Sequence, residues 1–250
     1  MSGFPEHFTL NAYDLLDAFG QDGCPICGLA LRSVAHYMEA MNYDSVGDQD
    51  FRSQLRKSMG FCNLHAHQWL DTAFILGTAE IYRDVLNDLI ARLREETWQP
   101  GDFADHLLSW FSHRQFDQTE NILAFPTASC PACEHLAETE SMLIRTLISE
   151  WDTPAFRDAY LASSGLCIPH LRMAWAAAPS SSIRKNLRDH ALKVEERMLG
   201  QLEEVIRKHD YRYQHEPAGK EKGAAQRVVQ HVAGQDRIVK LQIIQRASHP

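Results

Sequence analysis

Six cysteines and two histidines in this chain fall into one four-residue pattern that occurs twice. Cys24-Pro25-Ile26-Cys27 is followed by Cys62-Asn63-Leu64-His65, and Cys130-Pro131-Ala132-Cys133 by Cys167-Ile168-Pro169-His170. The copies are offset by 106 residues at the first pair and 105 at the second, and together they use every cysteine in the chain. Three thiolates and one imidazole complete the ligand set of a tetrahedral metal ion, and four protein ligands leave no open position for a catalytic water. The spacing therefore predicts two closed structural sites, each made of a CxxC and the CxxH that follows it. Cys24, Cys27, Cys62 and His65 form the first; Cys130, Cys133, Cys167 and His170 form the second. Zinc, two ions per chain, is the expected occupant, because a Cys3His set around Zn²⁺ carries a net charge of about −1 and needs no cluster assembly. The alternative is a pair of [4Fe-4S] clusters in an electron-transfer or redox-sensing protein.

Other chemistries of these residues fit less well. A Cys-Pro-x-Cys at a helix start resembles the dithiol of thioredoxin-like oxidoreductases, but that fold needs a preceding strand. None is visible before Gly23 or Ser129, and Cys62, His65, Cys167 and His170 would stay unexplained. Covalent haem attachment needs histidine directly after the CxxC, where Gly28 and Glu134 stand. Cys133-x-His135 with the later CxxH resembles a Rieske set, yet Leu29 replaces the histidine in the first copy. His67 and His135 read as surface or capping histidines beside the ligands. Glu138, Glu140 and the paired glutamates of the long helices read as solvated faces. No phosphate-cradling glycine loop, nucleophile elbow or catalytic triad is present, so no catalytic residue is assigned and a non-enzymatic chain is favoured.

The elements that must position these ligands are helical. Ile81, Val85, Leu89 and Leu93 recur at four-residue steps, and Ile183, Leu187, Ala191, Val194, Met198, Leu202 and Val205 at steps of three and four. Only Arg237 to Ile244 has strand-like character. The fold class is all-α, an internally duplicated helical bundle in which each Cys3His site joins helix N-termini. Between Cys27 and Cys62 lie 34 residues, and between Cys133 and Cys167 lie 33. An outgoing helix of about 15 residues and a returning one of about 11 would bring each CxxH back to its own CxxC. Pro25, Pro131 and Pro169 suit first-turn positions, where no N–H is needed. Helix N-termini would then aim partial positive charge at the thiolates.

The duplication extends past the ligands: Asp50-Phe51-Arg52 aligns with Ala155-Phe156-Arg157, and Met59-Gly60-Phe61-Cys62 with Ser164-Gly165-Leu166-Cys167. The expected organisation is an N-terminal helix over 1–21, a first repeat over 22–97 and a helical connector over 98–127. A second repeat over 128–213 follows, then a linker and basic tail over 214–250. Trp69 and Trp175, just after the CxxH pairs, are expected to pack over the sites. His209-Asp210-Tyr211-Arg212-Tyr213 is expected to stop the long helix and pack on the body. The connector centres on Phe103 to Leu123, residues 214–223 read as an exposed linker, and a short helix is expected near Ala224 to Val232.

Net charge is −8, with +5 in residues 184–250 and −13 in residues 1–183. An acidic body argues against general nucleic-acid binding, which needs clustered positive charge. The basic C-terminal tail leaves a route to an unknown macromolecular partner. Met1 to Leu10 carries Glu6 and no apolar run, and no segment is apolar for long enough to span a bilayer. A cytoplasmic location without membrane attachment is expected, and there close cysteine pairs are more often ligands than disulfides.

The duplicated CPxC with a later GxCxxH, and the His-Asp-Tyr-Arg-Tyr segment after the last long helix, resemble an uncharacterised prokaryotic family, the domain of unknown function numbered 6062. The resemblance covers the chain from about Gly23 to Val232. Members of that family carry a Trp-Arg-Arg-like run after the polar linker, where this chain reads Gly223-Ala224-Ala225-Gln226-Arg227. The resemblance implies no activity. It implies metal binding at Cys24, Cys27, Cys62, His65, Cys130, Cys133, Cys167 and His170.

Overall fold

A computed structural model describes residues 8–45, 47–95 and 126–236. The described residues are helical, with no strand. The helices are α1 (Leu10–Phe19), α2 (Pro25–Ala40), α3 (Gln49–Lys57), α4 (Asn63–Thr72), α5 (Ile75–Glu95), α6 (Pro131–Ser149), α7 (Pro154–Ala162), α8 (Ile168–Ala177), α9 (Ser181–Lys208) and α10 (Ala224–Ala233). A single π-helical turn, Met41–Ser45, follows α2. The connector at Phe103 to Leu123 and the strand-like Arg237 to Ile244 lie outside the described residues.

Local chemistry sets several helix starts. Thr9 Oγ1 accepts from the N–H of Ala12, Asp48 Oδ1 from those of Asp50 and Phe51, and Ser180 Oγ from that of Ile183. Each satisfies donors that a first turn leaves without an intrahelical partner. Cys62 and Cys167 are themselves N-caps, with nearly the same extended backbone (φ −63°, ψ 166° and φ −63°, ψ 160°). Cys24 and Cys130 stand just before α2 and α6, and their carbonyls accept the first helical bonds from Gly28 and Glu134. All four half-sites thus sit at helix N-termini, with Pro25 and Pro131 as first helical residues and Pro169 one place later.

The two copies match in detail. Phe51 and Phe156, Leu55 and Tyr160, and Phe61 and Leu166 are buried at equivalent positions. Gly60 and Gly165 both adopt left-handed backbone, φ +85° and +82°. A Cβ on Gly60 would stand 3.0 Å from Tyr82 Cε1, and one on Gly165 3.2 Å from Val194 Cγ2, so both dihedral and space demand glycine. This tight turn redirects the chain from α3 or α7 into the CxxH helix.

The compact units do not follow the repeats. Among the described residues, 8–35 with 135–236 form one unit, and those between His36 and Glu134 form the other. In the first unit α1 packs on α7, while α8, α9 and α10 pack on one another. Its core joins Phe19, Trp151, Phe156 and Tyr160, with ring centroids 5.2 to 5.7 Å apart, to Leu15, Ile26, Leu147 and Leu187. In the second unit α3 packs on α5. Phe61 stacks 5.1 Å from the fully buried Trp69, and Arg52 and Arg56 on α3 pair with Asp84 and Asp88 on α5.

Residues 214–223 are exposed as expected except at Glu216 and Glu221, and side-chain contacts tie them to the end of α9. Arg207 meets Glu204 and Glu216, Lys208 Nζ donates to Pro217 O and Glu221 Oε1, and Glu221 is buried. The guanidinium of Arg207 also lies 4.6 Å over the Tyr213 ring. Trp175 departs from expectation too: it is 42% exposed. The residue equivalent to Trp69 at the 105-residue offset is Ala174, which is fully buried, so a one-residue shift turns Trp175 outward.

Candidate metal centres

The structure gathers the eight ligands into two groups, but not in the pairing expected. Cys24 and Cys27 meet Cys167 and His170; Cys130 and Cys133 meet Cys62 and His65. Each CxxC therefore joins the CxxH of the other repeat, and each group lies wholly within one compact unit. Helix lengths explain the exchange. The 16-residue α2 carries the chain about 24 Å away from Cys27, whereas the 9-residue α3 returns it by only about 14 Å. The second repeat repeats the mismatch, with 19 residues in α6 and 9 in α7. In each repeat the return is thus shorter than the outward run. The segment leading into the opposite CxxC is held nearby: Thr127 donates through its N–H and hydroxyl to Lys57 O at the end of α3, and α1 packs on α7.

Within each group all four ligand atoms lie within 4.8 Å of one another. In the first, Cys27 Sγ is 3.6 Å from Cys167 Sγ. His170 Nδ1 lies 3.5, 3.4 and 3.1 Å from the sulfurs of Cys24, Cys27 and Cys167. In the second, Cys62 Sγ is 3.6 Å from Cys133 Sγ, and His65 Nδ1 is 3.3, 3.6 and 3.3 Å from Cys62, Cys130 and Cys133. A tetrahedron with metal–sulfur bonds of ~2.3 Å and metal–nitrogen bonds of ~2.0 Å has edges of about 3.8 and 3.5 Å. The measured separations fall near those edges, and each group could hold one metal ion.

The donor chemistry agrees. Burial, followed by the charge of Cys130 and a hydrogen bond with Cys62, pushes the Cys133 thiol up to about 12. Burial likewise raises Cys24 and Cys130. Burial alone would lower His170, but its hydrogen bonds with Cys167, Cys27 and Glu140 raise it to about 11. Three thiolates cannot coexist in so small a buried volume unless a cation compensates them. Protons do so partly; a divalent cation would do so at all three sulfurs.

Two partners of the first group were not legible in sequence. Glu140, expected on a solvated face, places Oε1 3.3 Å from His170 Nε2. A carboxylate there holds the ring in the tautomer that leaves Nδ1 free to ligate. Hydrogen bonds with Cys167 and Cys24, then His170, hold the Cys27 thiol low, and the backbone N–H of Gln235, just after α10, adds to them. The positions on α2 that match Glu140 in the repeat are Val34 and Ala35. His135 turns its Nε2 to Ser33 Oγ at 2.8 Å, and His67 is exposed. No helix among the described residues is long and apolar enough to cross a membrane.

Among curated proteins, the chain is similar to an uncharacterized 23.9 kDa protein in the xynA 3′ region of Caldicellulosiruptor sp. (strain Rt8B.4). The two are 25% identical over 202 residues, covering 80% of this chain and 89% of the relative. No solved structure matches. The family of unknown function DUF6062 matches residues 8–238, nearly the whole chain, and the chain belongs to that family.

Proposed function

We propose that this protein is a non-enzymatic helical scaffold that binds two zinc ions, one in each Cys3His group, and presents its helical surfaces to a macromolecular partner. The observation that carries the metal assignment is the separation of the donors. In a four-iron cluster the iron and sulfide core holds the terminal ligands roughly 6 Å apart. Donors within 4.8 Å of one another suit a single ion better. Zinc is the common occupant of a closed tetrahedral site rich in thiolate. In this reading the ions are structural. Each ties the CxxC helix start of one repeat to the CxxH helix start of the other, so the two repeats fold as one entity. Glu140 would orient His170, the Gln235 N–H would share the charge on Cys27, and the helix N-termini would face the remaining thiolates.

Elemental analysis of protein purified without oxygen tests this. Two zinc and no iron per chain supports it; about eight iron would replace it with the cluster reading. The partner role rests on the absence of an assigned catalytic constellation and on the basic C-terminal region. Affinity capture with the full chain, compared with a chain shortened after Gln235, tests it. Equal capture of the same protein by both would remove the tail from the account.

A further inference from the structure

We propose that a cavity beside Cys24 is a binding site for a small oxyanion, a carboxylate or a phosphate, recognised by Arg227 and Arg197. The cavity, of about 320 Å³, lies within the first compact unit among the residues preceding α2, those ending α7, and α9 and α10. That size is at the small end of ligand pockets, which run from ~300 to ~1,000 Å³.

Its lining is cationic in an unusual way. Arg52, Arg56, Arg188, Arg207 and Arg212 each meet a carboxylate. Arg227 does not. It donates to Lys222 O at 2.6 Å, Lys220 O at 2.8 Å and Gln201 Oε1 at 2.9 Å, all neutral acceptors. These bonds fix the guanidinium without neutralising it and use three of its five N–H donors. Arg197 lines the same cavity from α9, and no ion pair involves it among the described residues. Asp22 is the one carboxylate on the wall. His231, also on the wall, is held by Glu195 at 2.8 Å. Two guanidiniums line it, one pre-oriented and one at an exposed position, and the planar donor fork of each suits a planar or tetrahedral oxyanion. The hydroxyl of Ser164 and the carboxamide of Gln230 add neutral donors. A ligand seated there would lie against Cys24 and could shield that sulfur from solvent.

The test is calorimetric titration of the metal-loaded full chain in a low-chloride buffer, first with inorganic phosphate and then with succinate. The expected result is one site with a Kd tighter than about 1 mM for one of the two, which also identifies the oxyanion class. Arg197→Gln, a change at an exposed position, should weaken it at least tenfold. Arg188→Gln, farther along the same helix, should leave it unchanged. Arg227→Lys keeps the charge but loses the fork, and should weaken binding while far-UV circular dichroism stays constant. A Kd weaker than about 1 mM for both anions overturns the proposal. So does tight binding untouched by Arg197→Gln, or reduced equally by Arg188→Gln, which would indicate surface charge alone.

Discussion

Replacing Cys62 and Cys130 together separates crossed from uncrossed pairing of the repeats. In the structure both sulfurs belong to one group, so Cys62→Ser/Cys130→Ser damages a single site and leaves Cys24, Cys27, Cys167 and His170 intact. If each CxxC served its own repeat, the same double change would remove one ligand from each site. Cys24→Ser/Cys62→Ser makes the opposite comparison: it strikes both groups in the structure, but would strike a single site if each CxxC served its own repeat. The expected zinc contents per chain are two for the native protein, one for Cys62→Ser/Cys130→Ser, and none for Cys24→Ser/Cys62→Ser. Stability should follow. With free metal about a thousand times above Kd, each loaded site contributes about 4 kcal/mol, so the first pair costs about 4 and the second about 8. The same-site pair should also be strongly non-additive, since the first change already forfeits the ion, whereas the cross-site pair should add. Metal content by mass spectrometry and chemical denaturation measure both quantities. A Cys62→Ser/Cys130→Ser protein that loses both ions while Cys24→Ser/Cys62→Ser keeps one would refute the crossed arrangement.

Three further outcomes follow from single contacts. Glu140→Gln removes the carboxylate 3.3 Å from His170 Nε2 and should weaken metal retention about 10- to 100-fold at the first site only, read by competition with a chelator. Gly165→Ala forces a Cβ into a left-handed turn and to 3.2 Å from Val194 Cγ2. It should cost about 1–3 kcal/mol in denaturation, and an unchanged midpoint would mean the turn relaxes freely. His190 is buried, and burial, then the charges of Arg197 and Lys193, lower its pKa from 6.5. The folded state therefore binds its proton less well than the unfolded state, so stability present above pH 6.5 is lost as pH falls below it. His190→Leu should flatten that part of the stability profile relative to the native protein; identical acid slopes would exclude the residue.

The ligand types, their positions at helix starts and the all-helical class were legible because they depend on local chemistry. Proline after the first cysteine, glycine before the CxxH and four-residue apolar steps each act within a few residues. The pairing was not legible, because it turns on the difference between an outgoing helix of 16 or 19 residues and a returning one of 9. The spacing suggested about 15 residues out and about 11 back, and an error of a few residues at 1.5 Å each decides which sulfur is in reach. Glu140 was hidden for the same reason: its partner His170 belongs to a group that includes neither Cys130 nor Cys133, the cysteines that begin its own helix. Trp175 shows the limit of repeat alignment, since a one-residue offset from Trp69 exchanges the buried face for the exposed one. Segment 214–223 is exposed, as its polar composition suggests, but its ion pairs to Arg207 and Lys208 were not legible, because they join residues 9 and 13 apart across a turn.

X-ray absorption at the zinc edge, on protein purified without oxygen, bears most directly on the central claim of two single-ion Cys3His sites. The account predicts a first shell averaging three sulfurs at about 2.3 Å and one nitrogen at about 2.0 Å, with no neighbouring metal. Iron in the sample with a short iron–iron vector, or a zinc shell of oxygen and nitrogen without sulfur, would contradict it.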